Sequence, residues 1–312
     1  MKNLLNQNLN KYKVLVIGDS ILDKYYYGNV KRISPEAPVP INHINKCVCK
    51  LGGAANVANI LYTLGLNTSI ITHIGNNDED GKILFSLFKG INIIPLRTNQ
   101  RTTTKIRIIG NNQQMLRLDF EEQLNDCYQQ INFNSYIEEN DIIIISDYNK
   151  GFCSKKICQY IINKCNQLNK KIIIDPKGSN WNKYKNANFI TPNINELNVL
   201  GFNISNNDVD IENISKKVIK QFNFEGILTT RSEQGLSLYT NKIWHIPAVN
   251  VKEVQDPTGA GDVVVAIFAL GLLLNINYVD ILKLANLAAG ITCEYIGTYT
   301  PTIKEIINKI SF

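Results

Sequence analysis

The residues Asp256-Pro257-Thr258-Gly259-Ala260-Gly261-Asp262 place two glycines and a carboxylate directly before the apolar run Val263 to Leu274. Glycine lets a ligand come close to bare backbone, and a helix starting here would aim unpaired N–H groups and the positive end of its dipole at an anion. That combination is a phosphate seat. A carboxylate inside the seat is repelled by phosphate unless it has a task, and the task that fits is accepting the proton of a hydroxyl that attacks the phosphorus. Asp262 is therefore the candidate general base of a phosphoryl transfer. The backbone of Gly259, Ala260 and Gly261 is the candidate donor set for the charge that develops on the transferred group. Taken alone, a Gly-x-Gly of this kind is more often a tight turn capped into a buried helix, so support has to come from elsewhere in the chain.

A sheet must hold such a seat, and the strands for one are present. Lys13 to Ile17 reads as a fully buried strand ending at Gly18-Asp19, and Asp141 to Ser146, Lys171 to Asp175, Asn188 to Thr191 and Gly226 to Thr230 are short strands separated by helical stretches. This alternation predicts an α/β fold with a doubly wound, mostly parallel sheet flanked by helices. Asp19 and Asp23 would then lie where a parallel sheet presents ligand-binding groups. Gly52-Gly53-Ala54-Ala55-Asn56 opens a helix to about Leu64, and a strand from Ser69 to Ile74 and a helix from Asp80 to Phe88 continue the rhythm. Between Val30 and Lys50 the pattern changes to short alternating pieces broken by Pro35, Pro38 and Pro40, which cannot sit in a central strand. Thr102 to Ile109 and Gln113 to Asp119 read as a hairpin around Gly110-Asn111-Asn112 that carries Lys105, Arg107 and Arg117. The expected organisation is one domain over residues 1–312, with a small accessory β-sheet, a lid from about 30–50 and 92–119, inserted in it.

Composition narrows the class. A chain of 312 residues with 44% hydrophobic content can bury a sizeable core and is not disordered. The formal net charge of +6 is scattered without a block of like charges, which favours anionic small ligands over nucleic acid. Seven cysteines at irregular positions match no zinc or paired-disulfide spacing and suggest reduced thiols. The polar N-terminus lacks the look of a signal peptide, and the Val263 to Leu274 run is short of the ~18 apolar residues of a membrane span. A cytoplasmic protein with no membrane partner is expected.

Three segments in order, Gly52-Gly53-x-x-Asn56, Asn193-x-x-Glu196 and Asp256-x-Thr258-Gly259-Ala260-Gly261-Asp262, resemble the signature of the ribokinase-like (PfkB) carbohydrate kinases. Within that family, Gly18-Asp19-x-x-Leu22-Asp23, Arg32 to Pro40, Asn112-Gln113-Gln114, Arg117 to Glu122, Asp175-Pro176-Lys177-Gly178 and Thr230 to Gly235 are similar to the kinases of D-glycero-β-D-manno-heptose 7-phosphate. The resemblance spans nearly the whole chain after the first ten residues. It departs at Pro257, where valine is usual, and at Cys47-Val48-Cys49.

The resemblance implies ATP-dependent phosphorylation of the anomeric hydroxyl, with Mg²⁺ as the metal and Asp262 as the base. It puts Asn193 and Glu196 around Mg²⁺, each through water, and Thr258, Thr230, Arg231, Gly235 and Asn286 on the ATP. Spacing alone reads Asn193 and Glu196 equally well as an N-cap and its first-turn glutamate. Asp19, Asp23, Gly52, Gly53 and Asn56 would hold sugar hydroxyls, although Asp23 by itself reads as a solvated residue. A phosphate already on the substrate needs cations, and Arg32, Lys105, Arg107, Arg117 and Lys177 are the candidates, undistinguished by sequence. Exposed edges in the accessory sheet lead us to expect a homodimer. The related bifunctional enzymes carry a further nucleotidyltransferase domain without a match here, so the expectation is a stand-alone kinase or an excised kinase domain. The alternatives are a kinase of another phosphosugar, such as a fructose or tagatose phosphate, and a non-catalytic sugar-phosphate sensor, which an intact Asp262 argues against.

Overall fold

Successive side chains of a strand point to opposite faces. Every residue from Val14 to Gly18 is buried, so both faces of the first strand need a cover. The computed structural model describes residues 2–124, 131–249 and 254–310, and in it two layers of helices provide that cover. The strands are β1 (Lys13–Gly18), β2 (Ser20–Ile33), β3 (Pro40–Gly53), β4 (Asn67–Gly75), β5 (Asn92–Thr98), β6 (Thr104–Gly110), β7 (Gln113–Phe120), β8 (Ile142–Ser146), β9 (Lys171–Asp175), β10 (Phe189–Ile190), β11 (Gly226–Thr230), β12 (Leu236–Tyr239) and β13 (Ile243–Ile246). The helices are α1 (Lys2–Leu5), α2 (Ala54–Thr63), α3 (Glu79–Leu87), α4 (Phe133–Glu139), α5 (Lys155–Gln167), α6 (Ile194–Val199), α7 (Asp208–Phe222), α8 (Ala260–Leu273), α9 (Tyr278–Cys293) and α10 (Ile303–Lys309).

Nine strands form the main sheet in the order β13-β12-β11-β10-β9-β8-β1-β4-β5. It is parallel from β11 to β5, and β12 and β13 add an antiparallel edge. The alternation sorts the core into two layers. Val14, Val16, Ile144 and Ile173 pack with α2, α8 and α9, while Leu15, Ile17, Ile145 and Ile174 pack with α4, α5 and α7. The doubly wound sheet expected from the sequence is present. Among the described residues no helix is long and apolar enough to cross a membrane.

From β1 the chain winds outward through β4 and β5 on one side, and from β8 through β9, β10 and β11 on the other. The winding reverses between β1 and β8, and the crevice beyond their carboxyl ends is where sheets of this kind bind ligands.

The smaller sheet has the order β3-β2-β6-β7. Its boundaries correct the sequence reading in two places. It begins at Ser20 rather than near residue 30, because β2 continues directly from β1 past Asp19. Residues 92–98 are not lid but the edge strand of the main sheet, parallel to β4, where Pro95 is tolerated because an edge strand need not donate every N–H. The turn between β6 and β7 is as expected, with Asn111 and Asn112 left-handed at φ 50° and 63°.

Gly18 sits where β1 and β8 close on the crevice, and a Cβ there would run into the Ser146 carbonyl oxygen. Overpacking of this kind typically costs about 1–3 kcal/mol. Gly18→Ala should lower the unfolding free energy from a urea titration by that amount, and an unchanged value would show that the strands can part freely.

Candidate active site

Two acids at the crevice organise a turn. Asp19, directly after β1, is buried and accepts the backbone N–H groups of Tyr148 (2.9 Å), Lys150 (3.2 Å) and Phe152 (3.1 Å). Asp147, directly after β8, takes the Lys183 ammonium and the Tyr184 hydroxyl (2.7 Å) on one oxygen and the Asn149 N–H (2.6 Å) on the other. The loop 147–152 is thereby clamped between the two strands. Burial and the neighbouring Asp147 charge push the Asp19 carboxyl up to about 6. Asp19, expected on sugar hydroxyls, instead carries three main-chain donors.

The phosphate seat forms at the start of α8. Gly259 is the N-cap at φ 87°, a left-handed conformation that suits glycine. Its neighbour Ala260 does not donate outward as expected, because its N–H turns back onto the Pro257 carbonyl at 3.1 Å. The N–H groups of Gly261 and Asp262 have no acceptor among the described residues, and beside Gly261 the space is open. The Gly259 N–H is likewise without an acceptor among the described residues, so the donors available to an anion are those of residues 259, 261 and 262. Asp256 braces the approach, accepting from Thr258 N–H (2.9 Å) and Gly297 N–H (2.8 Å).

Asp262 lies in the first turn of α8 and is almost fully buried. Its Oδ2 accepts from the Asn56 amide at 2.6 Å and its Oδ1 from the Tyr148 hydroxyl at 2.8 Å. Burial pushes its carboxyl up to about 6, these two hydrogen bonds work against that rise, and the charge of Asp23 adds to it. Asn56 reaches it from the first turn of α2, whose N-cap Gly53 is held at φ 60° with the Asp19 carbonyl where a Cβ would lie. The Gly52-Gly53-x-x-Asn56 segment thus acts through Asp262.

A cleft of about 170 Å³ opens beside Asp262 and brings together Lys177, Asn193, Glu196, Thr230, Gly259 and Gly261 from the sequence reading. It adds Asp147, Tyr148, Asp175 and Thr191, which that reading did not select. The position of Asp147 and Tyr148 after the strand that faces β1 was the available signal. Asn193 and Glu196 form a complete capping box on α6, with Glu196 N–H on Asn193 Oδ1 and Asn193 N–H on Glu196 Oε2, both 2.9 Å. The other Glu196 oxygen takes Lys177 Nζ at 2.8 Å, so Lys177 belongs with this end of the cleft and not with the lid cations. Asp175 is half-buried, and desolvation, followed by the charges of Glu196 and Asp262, pushes its carboxyl well above the ordinary range. Asp175 and Glu196, with the side-chain oxygen of Asn193, make an all-oxygen donor set that fits Mg²⁺, which keeps several of its waters.

Other expected nucleotide residues do not reach the cleft. The Arg231 guanidinium is buried among Asn206, Asp208, Ser237 and His245, tying the start of α7 to β12 and β13. Gly235 is left-handed at φ 84° because a Cβ there would strike the Ile246 carbonyl, a constraint of strand packing. Asn286 donates to the Pro247 carbonyl at 2.6 Å and holds the exit from β13. Thr258 faces Asp256.

On the lid, Asp23 is buried and ion-paired with Arg107, so it is not the solvated residue that its sequence context suggests. A Cβ on Gly52 would collide with the Asp23 carboxylate. Lys105 lies opposite Asp23, and Arg107 lies opposite both Tyr25 and Arg117, so these side chains share one lid face. Arg107 stacks on Tyr25 with 5.2 Å to the ring centre, and Arg117 makes two bonds to Asp119 at 2.8 and 2.7 Å. Lys105 is half-buried, its ammonium is pushed below its usual range first by burial, and it has no ion-pair partner among the described residues. Arg32 is exposed near the far end of β2. Lys50, not selected from sequence, donates to the carbonyls of Thr298 (3.0 Å) and Ile296 (3.4 Å) and fastens β3 to the loop beside the seat.

Over residues 11–305 the chain matches the profile of the pfkB family carbohydrate kinases. Relatives named Bifunctional protein HldE, from Shewanella piezotolerans and Trichlorobacter lovleyi, are 37% and 36% identical over 96% and 100% of this chain. The chain spans 64% and 65% of the length of those curated relatives. Phosphofructokinase-2 from Escherichia coli, solved in complex with substrates and products, is similar at a TM-score of 0.79 and 18% identity, over 95% of this chain and 97% of that one. Ribokinase from Arabidopsis thaliana, complexed with ribose and ATP, is similar at 0.77 and 17%, over 96% and 99%. The structural likenesses establish the fold; the profile match along most of the chain, together with the sequence relatives, establishes that the chain belongs to the pfkB family of carbohydrate kinases and is an ATP-dependent sugar kinase.

Proposed function

We propose that the sugar is D-glycero-β-D-manno-heptose 7-phosphate and that the enzyme phosphorylates its anomeric O1 to give the 1,7-bisphosphate, a step toward ADP-heptose for lipopolysaccharide core. What carries the phosphosugar reading is the lid face that holds Lys105, Arg107 and Arg117 around Asp23, whose charge is felt by Asp262. A neutral sugar needs no such group of cations. Similarity to the HldE relatives along the whole chain favours a heptose over other phosphosugars. In this reading Asp262 takes the proton of O1, and the N–H groups of Gly259, Gly261 and Asp262 receive the charge on the transferred phosphoryl group. Asn193 and Glu196 would hold Mg²⁺, whose chemistry when bound would be the neutralisation of phosphate charge. The direct test is a product assay with ATP and a panel of heptose 7-phosphate, unphosphorylated heptose, and fructose and tagatose phosphates. Preferential turnover of fructose 6-phosphate, or equal use of unphosphorylated heptose, would overturn the assignment.

The cations separate by their existing partners. Arg107, Arg117 and Lys177 are held by Asp23, Asp119 and Glu196, whereas Lys105 is half-buried with no ion-pair partner among the described residues. A charge-assisted contact to a dianionic phosphate is worth ~1.5–3 kcal/mol, roughly tenfold to a hundredfold in affinity. Lys105→Ala should therefore raise KM for the phosphosugar by that factor with KM for ATP within about twofold, while Arg32→Ala leaves both near wild type. A normal sugar KM in Lys105→Ala would remove this lysine from the phosphate site.

A base must be ionised to accept a proton, and burial places Asp262 at about 6. As pH rises from 5 to 7.5, kcat/KM should climb through a midpoint near 6 and then level off. Asp19 titrates in the same range, and protonating it would loosen the 147–152 turn, so the limb belongs to both acids and both act in the same direction. A profile already flat at pH 5 would rule out an acid of this pKa as the base.

The outer lid face carries Tyr26, Ile106, Ile108, Leu116 and Leu118, with Leu116 53% exposed. We assign this face to a homodimer contact, because an apolar sheet face and open strand edges are seldom left in water. Light scattering at micromolar concentration should give twice the monomer mass, and Leu116→Glu should halve it. A fully active monomeric wild type would eliminate the dimer.

A further inference from the structure

Asp262 has two hydrogen-bond donors, and only the Asn56 amide belongs to a segment that the family resemblance singles out. The other is the Tyr148 hydroxyl, 2.8 Å from Oδ1. We propose that Tyr148 is a positioning residue for phosphoryl transfer, its hydroxyl fixing the Asp262 carboxylate in its charged form and in the orientation that receives the acceptor's proton. The inference rests on the reading of Asp262 as the base.

The geometry around Tyr148 makes it a fixed point. Its own N–H is bonded to Asp19, which also holds the N–H groups of Lys150 and Phe152. The residue before it, Asp147, is anchored by Lys183 and Tyr184. A tyrosine mounted this rigidly holds its hydroxyl at a set place, and a carboxylate oxygen bonded to it keeps a second lone pair for another donor. Tyr148 also lines the cleft beside Asp262.

Tyr148 does not move a proton itself. Burial, then the Asp262 charge, pushes its phenol well above the ordinary range, so it remains a donor throughout. In the transfer, the acceptor oxygen bonds to the γ-phosphorus of ATP as the P–O bond to ADP breaks and its electron pair leaves on ADP. The acceptor's proton goes to Asp262. The charged group that opposes the ionisation of Asp262 is Asp23 from β2, while Asp175, at the end of β9, is itself pushed upward by burial and by the charges of Glu196 and Asp262. Asn56 is neutral. The Tyr148 and Asn56 bonds are therefore what offset burial and the Asp23 charge.

The test reads Asp262 directly, with no sugar present. The carbon-13 carboxyl signal of Asp262, identified by its loss in Asp262→Asn, is titrated in wild type and in Tyr148→Phe. Removing a hydrogen bond to the ionised form should raise the midpoint by about one pH unit. With the sugar that wild type turns over, the Tyr148→Phe loss in kcat/KM should be about fivefold at pH 6 and shrink toward wild type above pH 8. An unchanged midpoint, or a loss equal at every pH, overturns the proposal and leaves Tyr148 as packing. If Tyr148→Phe does not fold, replacing tyrosine by 3-fluorotyrosine strengthens the donor without removing it. The midpoint should then fall, and an unmoved midpoint overturns the proposal by that route. Failure of the heptose assignment would appear only in the product assay and would leave the titration untouched.

Discussion

A carboxylate removed from water must be hydrogen-bonded or it takes up a proton, and the architecture around Asp262 answers to that requirement. Asn56 can reach Oδ2 only because α2 starts at Gly52-Gly53, pressed against the end of β1 and against Asp23. Tyr148 can reach Oδ1 only because β8 lies against β1 and the turn after it is tied down by Asp19 and Asp147. Three segments far apart in sequence therefore converge on one side chain, and the reversal of strand order between β1 and β8 is what makes room for it. The helix that carries Asp262 is buried along ten consecutive residues, Asp262 through Gly271, so the base cannot shift without moving the core.

The lid extends the same logic. It grows out of β1 through β2, so the strand that supplies Asp19 to the crevice also supplies Asp23 to the sugar side. A buried ion pair such as Asp23 with Arg107 is weak evidence for stability, because desolvation offsets much of the attraction. It does fix the position of both partners, and with Tyr25 under the guanidinium the pair presents one face toward the seat. Lys50 closes the other edge by bonding to carbonyls in the loop that also gives its Gly297 N–H to Asp256. The lid and the residues before α8 are thereby tied to one and the same loop.

Much of this was readable in the sequence. Runs such as Lys171 to Asp175 and Gly226 to Thr230 coincide with their strands, because a strand buried on both faces leaves an unbroken apolar run bounded by polar residues. Helix N-caps were harder to see among so many asparagines. Eight of the nine described non-glycine residues with positive φ are asparagine, so here Asn serves where glycine commonly stands and the usual punctuation is blurred. The antiparallel β12 and β13 were missed because four-residue strands carry almost no periodic signal. Residues 92–98 were placed in the lid, whereas they pair with β4 as an edge strand, where Pro95 is tolerated.

The site was legible where chemistry dictates residue type and obscure where it dictates only position. Glycines and an aspartate at the head of α8 have few other uses together. Arg231 illustrates the opposite case: an arginine beside a cleft strand looks like a phosphate ligand, yet its burial requires every guanidinium N–H to find a partner, and those partners lie behind the sheet edge. Asn193 and Glu196 show that the two readings of one motif can both hold. The capping box orients the Glu196 carboxylate with one oxygen on the backbone and leaves the other toward Lys177 and the cleft. A cap that terminates a helix and a carboxylate that faces phosphate-bound metal require the same geometry, so sequence spacing alone could never have separated them.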